Sequence, residues 1–164
     1  MYAGKVLIID LTENSHYKLE LPQWLKEKFL GGVGFLAKIL LDNIPKDINA
    51  FEKENVFGIS SGPANGEVLF SGRFVCASLS PLTDAWGETH LGGDMGMLMK
   101  ANGYDAIFIK GEASEPVNIT IDREKVRIER SREWGKKILE AYSFRLASYV
   151  QKRFYFNQNA YLCC

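Results

Sequence analysis

Val6 to Ile9 is an unbroken apolar run between Lys5 and Asp10. Its β-branched residues predict a strand over Lys5–Leu11. Turn residues follow at Thr12–Ser15. His16–Leu21 then alternates, with Tyr17, Leu19 and Leu21 apolar and Lys18 and Glu20 polar. That pattern predicts a half-buried strand forming a hairpin with the first. Pro22 suits a first helical position, and Leu21, Trp24, Leu25 and Phe29 recur at helical spacing up to Gly31-Gly32. Leu36, Ile39, Leu40 and Ile44 mark a second amphipathic helix, which Pro45 stops. Lys46–Glu54 is polar and loop-like.

Asn55–Ser60 is the next predicted strand, and Ser61–Gly66 is dense in turn residues. Phe74–Leu79 is a further strand, ended by a turn over Pro81–Asp84. A glycine-bearing stretch, Trp86–Gly93, leads into a helix over Gly92–Asn102. Met95, Leu98 and Met99 share one face of that helix, as core residues rather than sulfur ligands. Asn102-Gly103 caps it. Ala106–Ile109 reads as a buried strand closed by Gly111. Pro116–Ile121 alternates, Asp122–Lys125 turns, and Val126 and Ile128 continue a partner strand. Strand pairs outnumber strand–helix–strand units. The expected fold is therefore α+β, with mostly antiparallel β-sheets and a few short helices.

Composition narrows the function. The 164 residues suit one domain with a real core. Lys+Arg and Asp+Glu both number 20, and this zero net charge argues against a nucleic-acid or anionic-membrane partner. No apolar run approaches the ~20 residues of a membrane span, and Val6–Ile9 is too short for a signal-peptide core. The expectation is a cytoplasmic protein. Of the three cysteines, Cys76 lies in a strand pattern and Cys163-Cys164 close the sequence. With no CxxC, they form neither a disulfide framework nor a recognisable zinc or iron–sulfur site. Cys76 reads as a small buried hydrophobe. Asn118-Ile119-Thr120 matches a glycosylation sequon by chance.

Candidate chemistry gathers between Ser71 and Asp105. Arg73 offers a planar fork of donors that suits phosphate. Gly92 and Gly93, at the start of a predicted helix, let backbone N–H groups approach an anion. The competing reading of Arg73 is a surface ion pair at a strand edge. Gly31-Gly32-Val33-Gly34 is either a phosphate loop or a tight turn between helices; it lacks the Lys-Ser/Thr of a P-loop. His90 has no carboxylate or nucleophile partner at readable spacing. It reads as a packed or surface residue, not a general base.

An ordered set of short motifs runs through residues 2–137. It comprises Gly4-Lys5-Val6-Leu7, Leu30-Gly31-Gly32-Val33-Gly34, Ser61-Gly62-Pro63, Ser71-Gly72-Arg73-Phe74, Ser80-Pro81-Leu82-Thr83, Gly92-Gly93, Gly103-Tyr104-Asp105-Ala106 and Trp134-Gly135-Lys136. In this order they resemble the N-terminal domain of the tungsten-containing aldehyde:ferredoxin oxidoreductases. The resemblance implies a base of two β-sheets on which a bis-molybdopterin cofactor of tungsten, or molybdenum, lies. A magnesium ion bridges the pterin phosphates. It assigns Arg73 to the pterin, sets His90, Gly92 and Gly93 against the cofactor, and gives the His90 backbone carbonyl to magnesium. Val33 stands where relatives carry Arg, so any ionic role of that Arg is absent here.

The family oxidises aldehydes to carboxylic acids and passes electrons to ferredoxin. Its [4Fe–4S] cysteines, and a Glu and a His near the metal, come from later domains, and those ligands are absent from this sequence. By resemblance, the chain is the cofactor-binding portion of such an enzyme and is incomplete alone. Its partners would be the remaining domains or a separate catalytic subunit. The alternative is a non-catalytic pterin- or phosphate-binding module that keeps the fold, alone or as a homodimer. A nucleotide-binding domain would rest on the glycine clusters only. Residues 138–164 depart from the family pattern, rich in aromatics with Glu140 the only acid. They read either as a frameshifted tail or as an amphipathic helix through Leu139, Tyr142, Leu146, Tyr149 and Val150.

Overall fold

A computed structural model describes residues 1–66, 72–123, 125–130 and 160–163. The chain divides into two units, Met1–Glu112 and Ala113–Cys164.

The first unit holds β1 (Lys5–Asp10), β2 (Ser15–Glu20), α1 (Gln23–Phe29), α2 (Val33–Asn43), β3 (Phe57–Ser61), β4 (Phe74–Leu79), β5 (Trp86–Leu91), α3 (Met95–Ala101) and β6 (Ala106–Lys110). Its strands form one sheet in the order β2-β1-β6-β3-β4-β5. Only β1 and β6 run parallel, and the other neighbours are antiparallel. The fold is thus α+β with a mostly antiparallel sheet. Central strands are buried on both faces, which is why β1 and β6 read as near-continuous apolar runs.

Alternate residues face opposite ways. Val6, Val75, Ala77, Ala106 and Phe108 form one core with Leu25 of α1 and Phe35, Leu36 and Leu40 of α2. Leu7, Ile9, Ile59, Cys76, Ile107 and Ile109, at the intervening positions, are also buried. Gly58 lets α2 close on the sheet: a Cβ there would sit 2.7 Å from Leu36 Cδ2 and 2.9 Å from the Phe108 ring.

Three sequence expectations change in detail. β2 is exposed at every position, because it is the outermost strand, and burial begins only at Leu21. Pro22 is extended (φ −60, ψ 140) and precedes α1 rather than opening it. The Leu21 N–H still bonds the Gly4 carbonyl at 2.8 Å, so the chain leaves the hairpin extended. Trp86–Leu91, expected only as a glycine-bearing stretch, is the strand β5. Neither of its faces is buried, so it carries no apolar alternation to read.

α3 ends as Asn102-Gly103 predicts. Gly103 is left-handed (φ +91), Tyr104 N–H bonds the Met99 carbonyl at 3.0 Å, and Gly103 N–H bonds that of Lys100 at 2.9 Å. This is a Schellman cap. It delivers Asp105 into the interior, where its carboxylate accepts Ala3 N–H at 3.1 Å, Gly4 N–H at 2.6 Å and the Lys100 ammonium. Asp105 is fully buried and Lys100 nearly so.

The second unit contains β7 (Val117–Ile121), β8 (Val126–Arg130) and β9 (Ala160–Cys163), in the antiparallel order β8-β7-β9. Ile119, Ile121 and Val126 are its buried residues among those described. The expected helix over 139–150 and the change of character at 138 lie outside the described residues. No helix among the described residues is long and apolar enough to cross a membrane.

Candidate functional site

The β4–β5 ladder pairs Val75 with His90 and Phe74 with Leu91. One more step brings Arg73 opposite Gly92, and the next brings Gly72 opposite Gly93. The backbones do meet there: a Cβ on Gly72 would lie 2.9 Å from the Gly93 carbonyl oxygen. Gly93 takes φ +106, a conformation that L side chains rarely adopt. Around Gly92 no atom of the described residues lies within 4 Å of a Cβ position. Arg73, His90, Gly92 and Gly93 are all exposed. The four residues assigned from sequence therefore share one end of the β4–β5 edge. Ser71 lies outside the described residues.

Two loops pack against this end. The Gly32 N–H bonds the Ser61 carbonyl at 3.3 Å, and a Cβ on Gly31 would approach that oxygen to 3.0 Å. Gly31 (φ +146) and Gly32 (φ +56) make the close turn that starts α2 beside Ser61. In the Ser61–Gly66 turn, Asn65 Nδ2 donates to the Arg73 carbonyl at 2.7 Å. The Asn65 amide also fills the space over Gly96, where any Cβ would overlap it. Ser61 Oγ and Asn65 Oδ1 are buried acceptors without a hydrogen-bond partner among the described residues.

His90 has a carboxylate neighbour after all. Trp86, Glu88 and His90 are alternate residues of β5 and share a face. Glu88 accepts the Trp86 indole N–H at 2.8 Å through Oε2, and its Oε1 lies 3.2 Å from His90 Nε2. The Trp86 bond first, and the His90 contact second, hold the Glu88 carboxyl below its ordinary range. The i, i+2 pairing exists only because this stretch is a strand.

Gly72, Asn65 and Glu88 were not singled out from sequence. Gly72 lies inside the Ser71–Phe74 motif, but its approach to Gly93 depends on strand pairing. Asn65 looked like one turn residue among several. Among the described residues, no cluster of three or more His, Cys, Asp or Glu could hold a metal. An apolar cavity of about 300 Å³ lies toward the β2–β1 edge of the sheet, lined by residues of β1, β2, α1 and α2 including Tyr17, Leu19 and Trp24.

Comparison with known proteins gives this edge a context. The model of the aldehyde ferredoxin oxidoreductase N-terminal domain matches residues 6–158. The chain is 33% identical over 141 residues to the tungsten-containing aldehyde ferredoxin oxidoreductase of Pyrococcus horikoshii, covering 85% of this chain and 23% of that protein. It is 32% identical over 146 residues to the WOR-like subunit of an aliphatic sulfonate oxidoreductase of Pyrococcus furiosus, covering 86% of this chain and 23% of that one. Among solved structures, the active-site complex BamBC of benzoyl coenzyme A reductase with 1,5-dienoyl-CoA is similar at a TM-score of 0.80 and 28% identity. That match covers 92% of this chain and 23% of the other. The chain thus spans just under a quarter of the length of these relatives.

Proposed function

The chain belongs to the aldehyde ferredoxin oxidoreductase N-terminal domain family, and from this we propose that it cradles the phosphate side of a tungsten–pterin cofactor. The observation that carries the proposal is the convergence of Arg73, Gly92 and Gly93 at one exposed sheet end. Three further features fit such a group. The backbone beside Gly92 is open to a ligand. Gly72 and Gly93 hold two strands too close for any side chain between them. Arg73 is exposed next to both.

Arg73 would bind a pterin phosphate through paired N–H bonds, and the Gly92–Gly93 backbone would give the cofactor close approach. The His90 backbone carbonyl would help hold a magnesium ion beside the phosphates, since magnesium prefers oxygen donors. A backbone role of this kind leaves the His90 ring free to pair with Glu88. When bound, the cofactor supplies the two-electron redox chemistry that takes an aldehyde and water to a carboxylic acid. This chain's own residues hold the cofactor and leave its reactive side to other segments.

The relatives support that division of labour. One is named for aldehydes, one for an aliphatic sulfonate and one for benzoyl-CoA, yet each matches this chain over 23% of its own length. A segment common to proteins with such different substrates suits cofactor binding better than substrate choice. The rest of the site, the iron–sulfur ligands and the ferredoxin contact would come from further domains or a separate subunit. In both the sulfonate and the benzoyl-CoA relatives the match is 23% of one longer chain, which favours further domains over a separate subunit.

The test is to purify the chain from cells supplied with tungstate. Tungsten is then measured by mass spectrometry and pterin by fluorescence after oxidation. Two pterins per tungsten are expected, and a folded chain carrying no pterin refutes the proposal.

A further inference from the structure

We propose that Asn65 is the positioning residue for Arg73, fixing the backbone from which its guanidinium reaches the cofactor. The inference rests on the reading of Arg73 given above.

Arg73 lies one residue beyond the last β4–β5 pair, Phe74 with Leu91. Its carbonyl is held instead by Asn65 Nδ2 at 2.7 Å, the short end of the range for an N–H···O bond. Asn65 is 5% exposed, so its side of this part-buried bond is shielded from water. The amide has one sensible orientation. Flipping it would set two carbonyl oxygens against each other at that distance.

The anchor is itself braced on two sides. Asn65 N–H closes its turn onto the Gly62 carbonyl at 3.2 Å, and the side-chain amide rests over Gly96 of α3. One side chain therefore ties the 62–66 turn, the start of β4 and α3 together at Arg73. A long, flexible arginine binds an anion well only if its starting point is fixed, because small displacements of a binding group are costly. Gly96 belongs to the same device. Alanine is the better helix residue, yet a Cβ at this position would displace the amide.

The experiment measures pterin per folded chain and thermal midpoint in five purified full-length proteins: wild type, Arg73→Ala, Asn65→Ala, Gly96→Ala and Arg73→Ala/Asn65→Ala. Asn65→Ala and Gly96→Ala are each expected to lower pterin at least fivefold. Arg73→Ala is expected to lower it more, and adding Asn65→Ala to it changes nothing further. Such non-additivity marks residues acting through one another, whereas a general structural defect would cost pterin in both backgrounds.

Wild-type pterin in Asn65→Ala, with Arg73→Ala depleted, overturns this inference alone. So does a lower midpoint with pterin per folded chain unchanged. Arg73→Ala retaining pterin, or a wild type without any, overturns the reading beneath it and the inference together. If Asn65→Ala does not fold, Gly96→Ala decides on the same criteria.

Discussion

Gly72 and Gly93 face each other across the end of the β4–β5 ladder so closely that a Cβ on Gly72 would stand 2.9 Å from the Gly93 carbonyl oxygen. The obstructing atom is backbone and cannot swing away. Gly72→Ala must therefore spread the strands, at about 1–3 kcal/mol, the usual cost of overpacking. Urea unfolding measures this as a lower midpoint with an unchanged slope. An unshifted midpoint would mean the two segments are not held together.

Asp105 joins the N-terminal segment to the end of α3. It accepts Ala3 and Gly4 N–H groups and pairs with Lys100 in a site closed to water. Asp105→Asn keeps the shape but leaves the Lys100 ammonium without its counter-charge. The expected loss is about 3–5 kcal/mol, the range for breaking a buried pair. Chemical denaturation reads it directly. A loss below about 1 kcal/mol, the value of an exposed pair, would contradict the burial described.

Cys76 sits in the interior of β4, and burial pushes its thiol from 9.0 up to about 11. The thiolate is the reactive form. In a Cys163→Ser/Cys164→Ser background, the native chain should react very slowly with a disulfide reagent at pH 8 and promptly once unfolded. The sign for stability follows. Above pH 9 the unfolded thiol releases its proton while the folded one keeps it, so stability falls as pH rises toward 11. Fast labelling of the native chain would contradict this.

Glu88 provides the acid-side counterpart. The Trp86 indole and then His90 lower its carboxyl below 4.5. A depressed carboxyl contributes stability that is present above its unfolded value and lost as pH falls through its folded one. Glu88→Gln should therefore flatten the fall in thermal midpoint below pH 4.5. Identical acid limbs in the two proteins would mean that the Trp86–Glu88–His90 arrangement does not persist in solution.

Sequence made some of this visible and hid the rest, for physical reasons. β1 and β6 could be read because strands buried on both faces must be apolar throughout. β4 is found at the predicted limits, Phe74–Leu79. β5 could not be read, because exposure on both faces removed the alternation that marks a strand. Missing it also hid the contact between Glu88 and His90. Ordered motifs led to Arg73, Gly92 and Gly93, but not to Asn65. Its bond to Arg73 exists only once a turn, a strand and a helix are folded against one another. Lys100 and Asp105 likewise carry no signal of burial, since such charges are ordinarily exposed.

The central claim is that the Arg73–Gly92–Gly93 edge holds a pterin cofactor, and Gly92→Ala tests it most directly. Among the described residues a Cβ at Gly92 has nothing within 4 Å, and the residue is not left-handed, so the fold should tolerate alanine there. The decisive measurement is pterin per chain alongside unfolding midpoint, for wild type, Gly92→Ala and Arg73→Ala. The account predicts an unfolding free energy for Gly92→Ala within about 0.5 kcal/mol of wild type, as for a surface change, with pterin depleted in both variants. Either variant folded and carrying wild-type pterin would contradict it.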